Sequence, residues 1–530
     1  MTELLHHLVQ TTAHRSPRLS ALSYRGDVLD YAALNERINT AATGFASLGL
    51  QRRDRVAIYL EKRFETVIAI FGAAAAGGVF VPINPILKPH QVGYILRDCN
   101  VRVLVTSKPR VSDLRDEIDK CSDLDCIVYV DADDGASIGR VKGVSWDALT
   151  TSRQSPPVPL IDVDMAAILY TSGSTGNPKG VILSHRNLVA GAKSVSQYLR
   201  NTADDRILSV LPLSFDAGLS QLTTAFTVGA KVTLLNYLLP RDVIRICAEE
   251  RITGITGVPP LWFQLAELEW PKESSDSIRY FANTGGHMPR RMLDQLRLAM
   301  PKAKPYLMYG LTEAFRSTYL DPAEVDRRPG SIGKAIPNAE ILVVRPNGEL
   351  CDANEVGELV HRGALVAMGY WNDTEKTAAR FRPTPGQPTG IPLPELAVWS
   401  GDQVRRDEEG FLYFVGRLDG MIKTSGYRVS PTEVEEVIFA TSLVGSAAVL
   451  GIPHPTLGQG IIAVVTPPTS GTVDEDGLMH ECRRRLPQYM VPLVVFERAT
   501  LPRNPNGKID RNQLVAEYAE TFQRQSEPNS

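Results

Sequence analysis

The chain has 530 residues, 43% hydrophobic and 22% charged, with a formal net charge of −3. That length exceeds a single core and divides into domains of roughly 100–250 residues, and with no long basic run it is not built for a nucleic acid held through its phosphates. Six cysteines, with Cys121 and Cys126 at the wrong spacing for a zinc knuckle, make neither a disulfide scaffold nor a metal cluster, so a reducing, cytoplasmic setting is expected.

The N-terminus, MTELLHHLVQ, lacks the charged-then-apolar form of a signal peptide. The stretch from Thr66 to Ile83, TVIAIFGAAAAGGVFVPI, is uncharged and reaches spanning length. It is mostly Ala and Gly and is broken by Gly77-Gly78 and Pro82. A buried helix, a stop and the short strand VFVPI are therefore predicted, with no membrane partner. The apolar runs RVAIYL, VRVLVTS, CIVYV, MAAILYT and KVTLLN alternate with helix-like patterns. That alternation predicts parallel α/β layers. Thr151 to Asp164, proline-rich and polar, reads as a surface connection.

Tyr170 to Val181, YTSGSTGNPKGV, follows the strand MAAILYT. Its glycines let the backbone approach a ligand and turn N–H groups toward anionic oxygens. Hydroxyls add neutral donors, and Lys179 adds a point charge suited to a polyphosphate. The order Asn177-Pro178-Lys179-Gly180 is not that of a Walker A loop, which needs a hydroxyl residue after the lysine. Ser184 is expected to cap a helix beginning near His185.

The pattern changes near residue 417. In VSPTEVEEVIFA, Ser430 can cap a helix, Pro431 suits its first position and Glu433 completes a capping box. Strand-like SAAVLGI and GIIAVVTP, a charged helix around DGLMHECRRRL and the strand LVVFERA follow. The expectation is an α/β protein with a large N-terminal domain of layered subdomains, 1–417, and a small mobile α+β lid, 418–530. RPTPGQPTGIPLP is taken as a loop, and the C-terminal QRQSEPNS as a frayed end.

Through these residues the chain resembles the adenylate-forming superfamily of acyl-CoA synthetases, peptide-synthesis adenylation domains and luciferases. YTSGSTGNPKGV is similar to the family's phosphate loop. YGLTEA (from Tyr309), GELVHRG (Gly357), WSGD (Trp399), GRLDGMIKTSGYRVSPTEVE (Gly416) and NPNGKIDR (Asn504) follow in the family's order, over nearly the whole chain. The wording is also similar to AMP-forming acyl ligases associated with exosortase systems, which leaves the substrate open.

The resemblance implies ATP and Mg²⁺ as cofactors and a thiol, of coenzyme A or of a carrier protein's phosphopantetheine arm, as acceptor. It places Thr171, Ser172, Gly173, Ser174, Thr175, Gly176 and Lys179 on the phosphates. Glu313 is implied as the Mg²⁺ ligand, a hard cation needing oxygen, with Thr312 beside it at the α-phosphate. Tyr309 near adenine, with Gly286, His287, Met308 and Gly310, completes the nucleotide set. Asp402 would accept both ribose hydroxyls, assisted by Arg417. Asp419 aligns with the hinge. Lys508 would reach the carboxylate and α-phosphate during adenylation, relieving crowded negative charge; Lys423 would serve the thioester step, with Gly426 giving thiol access.

For the acyl group, LPLSFDAGLSQLTTAF carries Phe215-Asp216, similar to amino-acid-activating members, where the aspartate meets the α-ammonium. A helix-capping aspartate is the plain alternative. Gly257, Asn283, Gly285, Arg316 and Ser317 are further pocket candidates. Small and polar types suit a short, polar acid, and Arg316 would pair with a second carboxylate or with Glu313. The expected function is a ligase loading a small amino or polar acid onto a free-standing carrier protein. The alternatives are an acyl-CoA synthetase for a short or medium acid, and a non-catalytic nucleotide-binding protein.

Overall fold

A computed structural model describes residues 3–131, 135–151, 158–171, 177–388, 390–417, 420–468, 471–502 and 509–523, without the side chains of Arg417 and Thr432; every count below refers to these residues. Two large sheets form the N-terminal part. In the first, eight strands run in the order Gly369–Tyr370, Lys179–Ser184, Met165–Thr171, Val79–Pro82, Arg55–Tyr59, Val101–Thr106, Cys126–Tyr129 and Lys142–Ser145. From Met165–Thr171 onward they are parallel. Most are the apolar, β-branched runs expected of strands buried on both faces.

The second sheet has fourteen strands. Ser20–Tyr24, Lys231–Leu234, Arg206–Ser209, Gly254–Gly257, Tyr280–Asn283 and Lys304–Tyr309 form its parallel half. At Thr318–Leu320 the direction reverses, and the remaining strands are antiparallel.

Helices Tyr31–Ser47, Phe64–Ala75, His185–Tyr198 and Asp216–Val228 contribute to one core shared with strands of both sheets. Phe64–Ala75 is the helix predicted within the Ala/Gly-rich stretch; nine of its residues, Thr66 to Ala74, are buried in protein. Each large apolar side chain buried in this way contributes about 1.5–3 kcal/mol. No helix among the described residues is long and apolar enough to cross a membrane. Ser184 caps His185–Tyr198, its hydroxyl accepting from the Asn187 N–H (3.2 Å).

The smaller C-terminal part is a five-stranded sheet beginning at Ile422, with Gly458–Thr466 pairing Ser446–His454 and Val494–Glu497. Helices Pro431–Phe439 and Glu475–Arg485 cover one face through Val434, Ile438, Leu478 and Cys482. Arg511–Tyr518 covers the other through Leu514. Ser430 caps Pro431–Phe439 as expected, accepting from the Glu433 N–H (3.4 Å). The reciprocal half of the capping box is replaced: the Glu433 carboxyl turns to Gln91 of the N-terminal part (3.4 Å).

Candidate active site

Ligands of open parallel sheets bind beyond the carboxyl ends of the strands, and a cavity lies there. Gly254–Gly257, Tyr280–Asn283 and Lys304–Tyr309 end together. After Tyr309 the chain makes one 3₁₀ turn, Thr312–Ala314, and reverses into Thr318–Leu320. That reversal supplies Gly310, Leu311, Thr312 and Arg316 to a cavity of about 170 Å³. Thr171 and Pro178, flanking the glycine loop, line it from the first sheet; Phe215 and Asp216 close one end, and Lys423, Gly426, Tyr427 and Arg428 cover it from the C-terminal part.

Glu313 is the electrostatic centre. Its side chain is 1% exposed, and its Oε1 accepts from Lys179 Nζ (3.2 Å) and from the Tyr370 hydroxyl (2.6 Å). Arg428 approaches the same oxygen from the C-terminal part at 3.7 Å. Burial alone would raise the carboxyl; Lys179, Arg428 and Arg380 together hold it well below the usual carboxylate range. Burial lowers Lys179 in turn. The Tyr370 hydroxyl also accepts from Lys179 (2.7 Å), fixing the ammonium over its ring. Glu313 Oε2 and the Thr171 hydroxyl are buried without hydrogen-bond partners among the described residues. An orphaned carboxylate oxygen beside a cluster of cations fits a divalent ion completed by phosphate oxygens and water. Among the described residues no group of three or more His, Cys, Asp or Glu is placed to hold a metal by itself.

Asp402, on Leu396–Arg406, accepts from the Tyr309 hydroxyl at the end of the parallel half-sheet. Two motifs about ninety residues apart therefore share one wall.

At the closed end, Asp216 opens helix Asp216–Val228, and Arg316 Nη1 donates to its Oδ2 (3.1 Å). Glu313, the protein partner expected for Arg316, is thus not the one used; Asp216 takes that place. The Arg316 side chain is 2% exposed and that of Asp216 16%. Phe315, immediately before, adopts φ +56°, ψ −56°, unusual for a bulky residue. Its ring fills a notch left by Gly191, where an added Cβ would stand 2.6 Å from Phe315 Cδ1. The packing of that ring fixes the turn that aims Arg316 inward. Beyond Arg316 lies only a second cavity of about 20 Å³, lined by Ala217, Ser220 and Thr224 among others. That is room for about one water molecule.

The C-terminal part enters as a hairpin. Ile422–Thr424 pairs with Tyr427–Val429, leaving a two-residue turn, Ser425 (φ +53°) and Gly426 (φ +80°). Positive φ at both positions is the type I′ geometry that suits the twist of a hairpin. Gly426 touches the N-terminal part so closely that an added Cβ would stand 2.8 Å from Val258 Cγ1. Tyr427 packs edge-on against Phe215 (4.9 Å) and stacks on Tyr489 (3.7 Å), and Lys423 Nζ lies 5.9 Å from the Tyr309 ring centre.

Of the residues singled out in the sequence, Thr171, Phe215, Asp216, Gly285, Gly310, Thr312, Arg316, Asp402 and Lys423 line the main cavity. Lys179, Glu313 and Tyr309 join its wall through the bonds above. Met308 lines the smaller cavity instead, its sulfur accepting from the Tyr198 hydroxyl (3.0 Å). Gly257, Asn283, Gly286, His287 and Ser317 are not among the residues lining either cavity. Asn283 Nδ2 donates to the Gly286 carbonyl (2.8 Å), and Ser317 meets buried His361 (3.0 Å). Ser172, Gly173, Ser174, Thr175, Gly176, Asp419 and Lys508, and the side chain of Arg417, lie outside the described residues.

Sequence reading missed Tyr370, Arg428 and Arg380. Arg428 stands inside the quoted motif GRLDGMIKTSGYRVSPTEVE, and the pairing of Ile422–Thr424 with Tyr427–Val429 brings it to the site. Tyr370, in MGYW, carries no local signal; only folding brings it to Glu313.

The sequence profile of the AMP-binding enzyme family matches residues 9–371, and that of the AMP-binding enzyme C-terminal domain matches 433–508. The chain is 29% identical to an L-proline–[L-prolyl-carrier protein] ligase of Pseudomonas fluorescens, over 97% of this chain and 99% of that one. It is 28% identical to a long-chain-fatty-acid–CoA ligase of Bacillus subtilis, over 97% and 95%. The chain spans only 11% of the length of gramicidin S synthase 2 of Brevibacillus brevis, which it matches at 28% identity over 97% of its own residues. Among solved structures, o-succinylbenzoate CoA synthetase of Bacillus subtilis superposes with TM-score 0.81 at 27% identity, over 96% of this chain and 97% of that one.

Proposed function

Since the chain belongs to the AMP-binding enzyme family and its relatives include acid–thiol ligases, we propose that it activates a small amino acid with ATP and passes the acyl group to the phosphopantetheine thiol of a carrier protein. The observation that supports this most directly is the short polar end of the cavity, where Asp216 lies open to a substrate and Arg316 bars a longer chain.

In this reading the substrate's carboxylate attacks the α-phosphorus of ATP. Pyrophosphate leaves with the electrons of the broken P–O bond, and an acyl-adenylate forms. Thr171, Thr312 and Lys179 face the phosphates, and the Lys179 charge offsets the negative charge gathering there. Asp216 takes the α-ammonium, and Asp402 takes the ribose. Glu313 Oε2 would hold Mg²⁺ with phosphate oxygens; the ion would supply further charge neutralisation. The thiol then attacks the acyl carbon and AMP departs. For this second step the Gly426 hairpin and Lys423 are the lid elements that line the cavity, whereas Lys508 is assigned to the first through the family motif. The lid, residues 418–530, would rotate about Asp419 between the two.

A coenzyme A acceptor is the second reading, favoured by the groove between lid and N-terminal part. His90, Arg484 and Arg485 line it and would suit a phosphorylated nucleotide tail. Pyrophosphate exchange across a panel of amino acids and simple acids tests the substrate class. Exchange driven by butyrate or benzoate and by no amino acid would overturn the amino-acid reading. Asp216→Ala should abolish exchange with amino acids selectively. Mass measurement of coenzyme A and carrier products then identifies the acceptor.

A further inference from the structure

From the Asp216–Arg316 pair we infer that the substrate is an amino dicarboxylic acid of about aspartate size. This deepens the amino-acid reading above and rests on it.

Arg316 is a cation withdrawn from water at the end of the cavity, with its side chain 2% exposed. Its Nη1 serves Asp216 and the Phe315 carbonyl (3.0 Å), and its Nε has no hydrogen-bond partner among the described residues. Most buried side-chain N–H groups find an acceptor, so an orphan on a residue that lines a cavity marks a place for one. The strained Phe315 backbone and the Gly191 notch hold the side chain there, which a structural surface arginine would not need.

Charge decides which acceptor. Asp216 is the carboxylate paired with Arg316, and its greater exposure leaves it open to the cavity. An incoming ammonium draws Asp216 into a second ion pair and weakens its hold on Arg316. With a neutral side chain, the substrate then leaves a buried guanidinium sharing one carboxylate and keeping its Nε unmet, an arrangement that buried ions tolerate poorly. A second carboxylate on the same substrate restores the balance. Ammonium pairs with Asp216, and carboxylate pairs with Arg316 through Nε and Nη2, so one ion pair in the free protein becomes two. Size sets the limit: beyond Arg316 only about 20 Å³ remains.

The test is pyrophosphate exchange by the full chain with both enantiomers of aspartate, asparagine, glutamate, glutamine, alanine and serine, and with succinate. The expected result is kcat/KM for an acidic amino acid on the order of 10²-fold above its amide. Arg316→Gln should remove that preference and raise the amide relative to the acid, while Arg316→Lys keeps the order. Neutral amino acids preferred by the parent would overturn the inference and leave the amino-acid reading intact. Exchange with succinate alone would overturn the amino-acid reading, and this inference with it. Should Arg316→Gln not fold, the parent's acid-to-amide ratio and Arg316→Lys still decide.

Discussion

Replacing Gly426 by alanine separates the two half-reactions, and the structure sets the size of the effect. Two costs arise. At φ +80° an alanine is strained by about 1–2 kcal/mol. That strain belongs to the hairpin itself, so it is present whether or not the lid is docked, and it lowers only the stability of the lid. The second cost exists only when the lid is docked. The new Cβ would stand 2.8 Å from Val258 Cγ1 and 3.0 Å from its Cβ, on a stiff β-branched side chain. Overpacking of this kind costs roughly 1–3 kcal/mol, equivalent to about 5- to 150-fold in the docked population. Single-turnover thioester formation from preformed acyl-adenylate should fall by that factor, while pyrophosphate exchange stays near the parent's. A proportional fall in both reactions, or none in either, would refute the assignment of this hairpin to the thiol step.

Lys508→Ala should do the reverse, slowing adenylate formation on the order of 10²–10³-fold while thioester formation from supplied adenylate persists; full-speed adenylation would refute its role. Burial pushes the Glu433 carboxyl up to about 8 from 4.5, with Glu436 adding to the shift and the Gln91 bond opposing it; His90, Arg484 and Arg485 line the same groove, and Tyr489 faces Glu433 from the main cavity. A raised carboxyl keeps its proton in the docked lid, so docking is strongest below about pH 4.5 and weakens as pH climbs to 8. Interdomain fluorescence transfer should show that slope, and Glu433→Gln should flatten it. Lys62 donates to the carbonyls of Val210 (2.9 Å) and Leu211 (3.3 Å), just ahead of Asp216, and burial pushes it down to about 7. The unfolded chain then binds the extra proton between pH 7 and 10.5, so stability to denaturant should rise over that interval. Lys62→Met should abolish the rise and cost about 1–3 kcal/mol at pH 7 by orphaning two carbonyls.

Local chemistry made much of the fold legible. Short β-branched apolar runs marked the parallel strands, Gly77-Gly78 ended the helix at Phe64–Ala75 and Pro82 the strand after it, and Ser184 and Ser430 announced their helices. What eluded the sequence is relational. Asp216 and Arg316 are a hundred residues apart, and nothing near either shows that they pair. The Glu433 carboxyl leaves its local cap because Gln91, 342 residues earlier, is within reach. Met308 and Tyr309 were read together at the nucleotide, yet neighbours on a strand point to opposite faces. Tyr309 turns to Asp402, and Met308 turns to Tyr198.

A turn of only Ser425 and Gly426 leaves no slack. One residue inserted there would slip the pairing of Ile422 with Val429 and invert every side chain beyond it. Ile422 would be pulled from the apolar core, and Lys423 would be pressed into it. The tip is therefore a gauge of fixed reach. Length changes accumulated by descendants of this chain should be found in its outlying loops and never at this point.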